Sequence, residues 1–268
     1  MERYSRLHIW MLGILLLVQI SIYRYYFPTF SSEGWEFHIH FWLVTFWYVF
    51  LILQPYLATN GKMDKHRTHG IIGFLIAGGA IFTGFSLLDF PLKLVTEWTP
   101  DKPGPPVAFY YGTLVVEFLL MVAFTYAIFK AIVKRKELQD HAWWLVASAF
   151  YMMMPAVGRG MIVFWRSVLP PEKLSPVYVA VSAELIYIPL FLIFAYKFGK
   201  FKHQATVIGL LLVLVRFLRV PIGSSQAIQD FLNTVFVSKQ QGNPTLSLGI
   251  RPGFNKTQVL SYVVYLMY

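Results

Sequence analysis

Seven runs of about 20 mostly apolar residues dominate this chain and leave it few folds to adopt. They lie at about 8–27, 38–58, 70–90, 107–129, 142–165, 177–196 and 206–222. A helix rises about 1.5 Å per residue, so each run is long enough to cross a hydrocarbon core about 30 Å thick. The pattern therefore predicts an all-α, polytopic transmembrane helix bundle of about seven spans over residues 1–222. Beyond it, Ala227, Ile228, Phe231, Leu232 and Val235 recur at helical spacing, predicting a short interfacial helix at 226–236. The remainder of 223–268 reads as a flexible tail, with Gly, Pro, Gln and Asn concentrated in 238–256.

Composition supports the bilayer as the main partner. Charged residues make up 13% of the chain, against about 25% in soluble domains. The absence of cysteine excludes disulfides, thiolate metal sites and thiol nucleophiles. A net charge of +10 would suit nucleic acid, but the basic residues form short clusters between apolar runs, not a continuous face. No nucleic-acid partner is expected. The first run follows Arg3 and Arg6 as a signal peptide would, yet it ends in Arg24-Tyr25-Tyr26-Phe27-Pro28 without a small-residue cleavage site. It reads as an uncleaved span.

Orientation follows from the lysines and arginines between runs. Segments 1–8, 58–69, 130–141 and 197–205 hold twelve, and the alternate segments hold five. This predicts a cytoplasmic amino terminus in a multi-pass protein of the cell (inner) membrane.

Ionisable residues inside the runs are the strongest functional signal. A charge at the bilayer centre costs about 2.5–3.5 kcal/mol on insertion scales, so each needs a partner or a watered cavity. Counted from the outer ends, Glu184 and Arg159 lie about 10 Å deep and Glu117 about 14 Å. One arginine and two carboxylates thus share a layer, with Asp89 near enough to join it. The planar guanidinium suits the centre of such a group because it can bind two carboxylates at once. Gly158 and Gly160 flank Arg159 and permit close helix approach. The layer reads either as a fixed ion network or as a site for a substrate, ion or proton. Arg216 and Arg219, three apart in the last run, would add a positive wall and suit a small anionic ligand.

Histidines mark the run edges. His66 and His69 precede or open the third run, and His141 opens the fifth, all at the cytoplasmic edge. Facing imidazoles are a known axial pair for haem b in helical bundles, although histidines at a membrane boundary also serve as interfacial groups or caps. His38 and His40 are two apart and face different directions on a helix; with Asp89 they offer only a sparse metal set. Met152-Met153-Met154 reads as packing, since consecutive helical residues point about 100° apart.

Several motifs resemble a known family. His66-Arg67-Thr68-His69-Gly70 opens a span, with Gln54 upstream in Leu51-Ile52-Leu53-Gln54-Pro55. His141-Ala142-Trp143-Trp144-Leu145-Val146-Ala147-Ser148 follows a basic loop, and Tyr187-Ile188-Pro189 stands in a later span. Over residues 40–198 the chain resembles the uncharacterised bacterial multi-pass family known as domain of unknown function 2306. It departs from that pattern at Ala142 and Ala147, where further arginines are expected. It is more distantly similar to cytochrome b561-type transmembrane electron carriers. That resemblance implies an inner haem b held by His69 or His66 together with His141. An outer haem would lack its second ligand, because no histidine lies between Asp101 and Lys130.

Four functions compete on this reading. The first is electron transfer through one haem b to a quinone or metal. The second is proton-coupled transport of a small molecule or ion using Glu117, Arg159 and Glu184. The third is an enzyme acting on lipid or another membrane-soluble substrate, although the sequence holds no metalloprotease, nucleophile-elbow or P-loop motif. The fourth is a structural or assembly role.

Overall fold

The computed structural model describes residues 2–96, 98, 105–170, 173 and 176–237. The tail beyond 237, including the stretch expected to be flexible, lies outside them. Among the described residues the regular elements are all helical: α1 Leu7–Tyr26, α2 Trp35–Thr59, α3 Met63–Ser86, α4 Phe90–Thr96, α5 Val107–Val133, α6 Leu138–Val168, α7 Pro176–Lys197, α8 Gln204–Phe217, α9 Arg219–Gly223 and α10 Gln226–Leu232. A π-helical turn over Asn233–Val237 follows α10, so the helix expected near 226–236 is present.

Among the described residues six helical stretches are long and apolar enough to cross a membrane. Their outer faces carry large apolar side chains in the open, such as Ile20 at 74%, Phe82 at 73% and Leu185 at 69% exposure. A water-soluble protein rarely leaves such a belt uncovered, and a bilayer covers it. The chain is an all-α polytopic bundle.

The seventh expected span departs from the pattern. It is not one helix over 206–222 but two, α8 and α9, broken at Leu218. Pro221 explains the break: it has no N–H to donate, and its ring clashes with the carbonyl four residues back. That carbonyl belongs to Phe217, where α8 stops. The two pieces still run the length of the bundle. His203 before α8 lies beside Asp140 at the start of α6, while Gly223 at the end of α9 lies against Ala108 and Gly112 at the far end of α5. A Cβ on Gly223 would strike the Ala108 carbonyl, and one on Gly112 would strike the Arg219 carbonyl. Glycine at both places lets α9 lie backbone to backbone on α5.

Helix α6 forms the centre, touching α1, α2, α5, α7 and α8. Its Ala147, Ala149, Phe150, Tyr151, Met153 and Met154 are all sealed from outside, so two of the three consecutive methionines are core packing. Tyrosines and tryptophans cross-link the bundle through their polar tips. Tyr48 donates to the Ala149 carbonyl (2.8 Å), Tyr151 to the Ala205 carbonyl (2.6 Å) and the Trp143 indole to Thr206 (3.0 Å). At the amino-terminal end Arg3 donates to the carbonyls of Lys197 (2.6 Å) and Gly199 (2.9 Å). A cation there satisfies and complements the carboxyl end of α7. This end also holds the basic connections α2–α3, α5–α6 and α7–α8, and is called the basic end below.

Candidate functional site: a charged cavity between helices

The embedded charges do not form one layer around Arg159. They form two pairs on different flanks of α6. Successive helical residues are about 100° apart, so Gly158 and Arg159 look to different neighbours. On one flank Arg216 of α8 donates from Nε to Glu184 Oε1 of α7 at 2.5 Å, with the two side chains only 7% and 3% exposed. Gly158 lies beside this guanidinium, at ordinary van der Waals distance from Nη2. Glu184 therefore belongs with Arg216, not with Arg159. The expected wall of three arginines is also absent: Arg216 is neutralised, and Arg219 lies over the Phe109 ring at 4.8 Å.

On the other flank Arg159 faces α1 and α5. Its Nη2 lies 3.9 Å from Glu117 Oε1, a looser contact, and the side chains are 33% and 26% exposed. The Tyr25 ring stands 5.5 Å from its Cζ. Gly160 allows this approach of α1, because a Cβ there would meet the Ser21 backbone at 2.9 Å. Asp89 takes no part; it pairs with Lys93 at 3.3 Å where α3 turns into α4.

Arg159 and Glu117 form one wall of a partly open cavity of about 180 Å³ lined by α1, α2, α3, α5 and α6, away from the basic end. Its other polar walls include Glu33 and His40, and rings such as Phe37 and Phe41 line the rest. Glu33 arrives from the connection after a 3-10 turn at Phe27–Ser32 that folds the chain back over the bundle. Burial pushes its carboxyl up, while a hydrogen bond from Thr29 and the charge of Arg159 pull it down. Thr29 donates to it at 3.2 Å.

His40 is held by Thr83: its Nδ1 lies 2.9 Å from the Thr83 hydroxyl, which is also 2.9 Å from the Gly79 carbonyl one turn earlier in α3. His38 points elsewhere, to the Tyr26 hydroxyl at 2.5 Å. Among the described residues no three His, Asp or Glu side chains are grouped to hold a metal ion, and His38, His40 and Asp89 do not converge.

At the basic end His66 and His69 lie within the first turns of α3, which begins at Met63, earlier than the apolar run implies. The His66 and His141 rings face each other with centroids 6.5 Å apart and planes at 87°. His141 Nδ1 donates to the Ala131 carbonyl at 2.7 Å, leaving Nε2 as the acceptor. Gln54 is buried nearby in sequence register, and its Nε2, like His66 Nδ1 and His69 Nδ1, has no hydrogen-bond partner.

Sequence reasoning missed Glu33 as a cavity residue and Arg216 as the partner of Glu184. The second was recoverable by counting: Glu184 lies 13 residues before Lys197 and Arg216 lies 13 after His203 (197 − 184 and 216 − 203), so the α7–α8 hairpin sets them at equal depth. Comparison with known proteins adds no further constraint: no protein-family model, curated protein or solved structure matches the chain.

Proposed function

We propose that this chain is a multi-pass membrane carrier that binds a small molecule in the Arg159–Glu117 cavity and exchanges a proton with it. One observation carries the reading: of two chemically similar ion pairs, one is sealed and one faces a cavity. A buried pair with no access can only hold helices together. A loose pair at 3.9 Å with partly exposed side chains can part when a ligand takes the place of one member. Glu117 is then the group that gains or loses a proton, and intramembrane carboxylates commonly serve such relays. The Glu184–Arg216 pair serves as the lock that fixes α7 to α8. The test is proteoliposomes loaded with a pH-sensitive dye and offered single-ring amines, acids and alcohols. Ligand-driven proton flux that disappears in Glu117→Gln supports the carrier. No flux with any compound, or flux unchanged by Glu117→Gln, refutes it.

The facing His66 and His141 favour a second reading, electron transfer through one haem b. Their separation suits two imidazoles on one metal with nitrogens about 2 Å from it, and the Ala131 bond presents the His141 Nε2 lone pair. A bound haem would supply one-electron chemistry; the chain's own part is to orient His141 and to bring α3 and α6 together. Absence of a Soret band after haem-supplemented expression, or a band that survives His141→Ala, rules this out.

A further inference from the structure

We infer that the cavity takes a small monocarboxylic acid with a single-ring apolar body, its carboxylate on Arg159 and its accompanying proton on Glu117. This names the substrate class of the carrier reading and rests on it. A guanidinium presents its N–H donors in a planar fork and binds a carboxylate best through two parallel bonds, each about 2.7–2.9 Å long. Arg216 makes a short contact of this kind with Glu184, 2.5 Å from its Nε. Arg159 does not: Glu117 Oε1 stands 3.9 Å from its Nη2, and the arginine side chain is 33% exposed in the wall of the cavity. Glu117 counters the charge of Arg159 without filling its donor edge. A carboxylate entering the cavity fills that edge and leaves the sealed pair untouched.

The surroundings favour an acid over an amine. Arg219 acts electrostatically with both Glu117 and Arg159, and Arg166 acts on Tyr25 beside Arg159, so an ammonium here meets several guanidiniums. The two carboxylates of the wall are already engaged, Glu117 by Arg159 and Glu33 by Thr29 and the charge of Arg159. When a ligand carboxylate joins Glu117 at one guanidinium, two like charges share a site of low dielectric, and one of them takes up a proton. Bidentate contact with Arg159 keeps the ligand ionised, so the proton goes to Glu117. One anion and one proton then enter together, and the charge of the cavity does not change. Val18, Ile22, Phe41, Val44 and Leu120 supply apolar wall for the body. Size limits that body: a dry cavity of about 150 Å³ holds benzene, so about 180 Å³ holds one ring and a short acidic arm.

Equilibrium binding to the purified full-length protein separates the outcomes, using 3-phenylpropionate, 3-phenylpropylamine and 3-phenylpropanol as probes of one size. At pH 7 the acid should bind at least about tenfold tighter than either other probe, the scale of one charge-assisted contact. Calorimetry in buffers of different ionisation enthalpy should show about one proton taken up with the acid and none with the alcohol. Arg159→Gln should weaken acid binding at least about tenfold and leave the alcohol unchanged. Glu117→Gln should keep acid binding and abolish the proton uptake. If the amine or alcohol binds as tightly as the acid, if the acid ignores Arg159→Gln, or if it binds without proton uptake, the acid assignment is overturned and the cavity reading stands. If uptake survives Glu117→Gln, or if no probe binds, both are overturned.

Discussion

Removing Arg216 should be far more damaging than removing Arg159, and the reason is where each leaves its partner. In Arg216→Met the Glu184 carboxylate keeps its 3% exposure but loses its Oε1 partner, and Oε2 already has none. A carboxylate so placed is a buried charge without a counter-charge, and breaking a buried pair by removing one partner costs roughly 3–5 kcal/mol. Replacing both residues, Arg216→Met with Glu184→Met, removes the stranded carboxylate and should recover most of the loss. Arg159→Gln breaks a loose, partly exposed pair and should cost at most about 1 kcal/mol. Reversible unfolding by SDS in mixed micelles, followed by circular dichroism at pH 7 and pH 5, compares wild type with all three variants. The reasoning fails if Arg216→Met unfolds like wild type, or if the double variant is no more stable than the single one.

Two further outcomes follow from local geometry. His203 caps α8 by accepting the Ala205 N–H on Nδ1 at 3.1 Å while Nε2 faces Asp140 at 3.7 Å; burial lowers its pKa below 6.5, against the upward pull of Asp140. A base whose folded pKa is depressed stabilises fully above its unfolded value and loses that contribution as pH falls through the window below 6.5, so wild type should lose about 0.5–2 kcal/mol of cap stability on acidification, and His203→Asn should remove this pH dependence in the same unfolding assay. Gly223→Ala drives a methyl into the Ala108 carbonyl and should displace α9 from α5, costing roughly 1–3 kcal/mol by overpacking; a variant as stable as wild type contradicts the contact.

The spanning helices were legible because hydrocarbon dictates their length and their internal hydrogen bonding. Hydropathy alone cannot see a break when the residues around it stay apolar, which is why 206–222 reads as one run although Pro221 signals the interruption at Phe217. Depth estimates placed Glu117, Arg159 and Glu184 together because depth has no azimuth. Around α6 the azimuth decides, sending Arg159 toward α1 and α5 while α7 and α8 lie on another flank. Glu33 was hidden for a different reason. It stands outside every apolar run, and only the 3-10 turn at Phe27–Ser32 brings it over the cavity. The polar partner of His40 is a threonine 43 residues away, a relation no local pattern contains.

Placing both ion pairs beside one helix has a mechanical consequence. Gly158 lies beside Arg216 on one flank, and Arg159 reaches the cavity from the next position. Pro155, one turn earlier, lies inside α6 and cannot donate to the Tyr151 carbonyl, which weakens the helix at that turn. Tyr151 itself is tied to the start of α8 through the Ala205 carbonyl and also lines the cavity. The segment from Tyr151 to Gly160 thus has a compliant turn, a cavity-facing arginine and a sealed anchor within ten residues. On the proposed carrier reading, a ligand that parted Arg159 from Glu117 would act on the turn most able to bend, while the Glu184–Arg216 pair would keep α7 and α8 in place. A rigid, fully buried charge layer would give the cavity no such freedom.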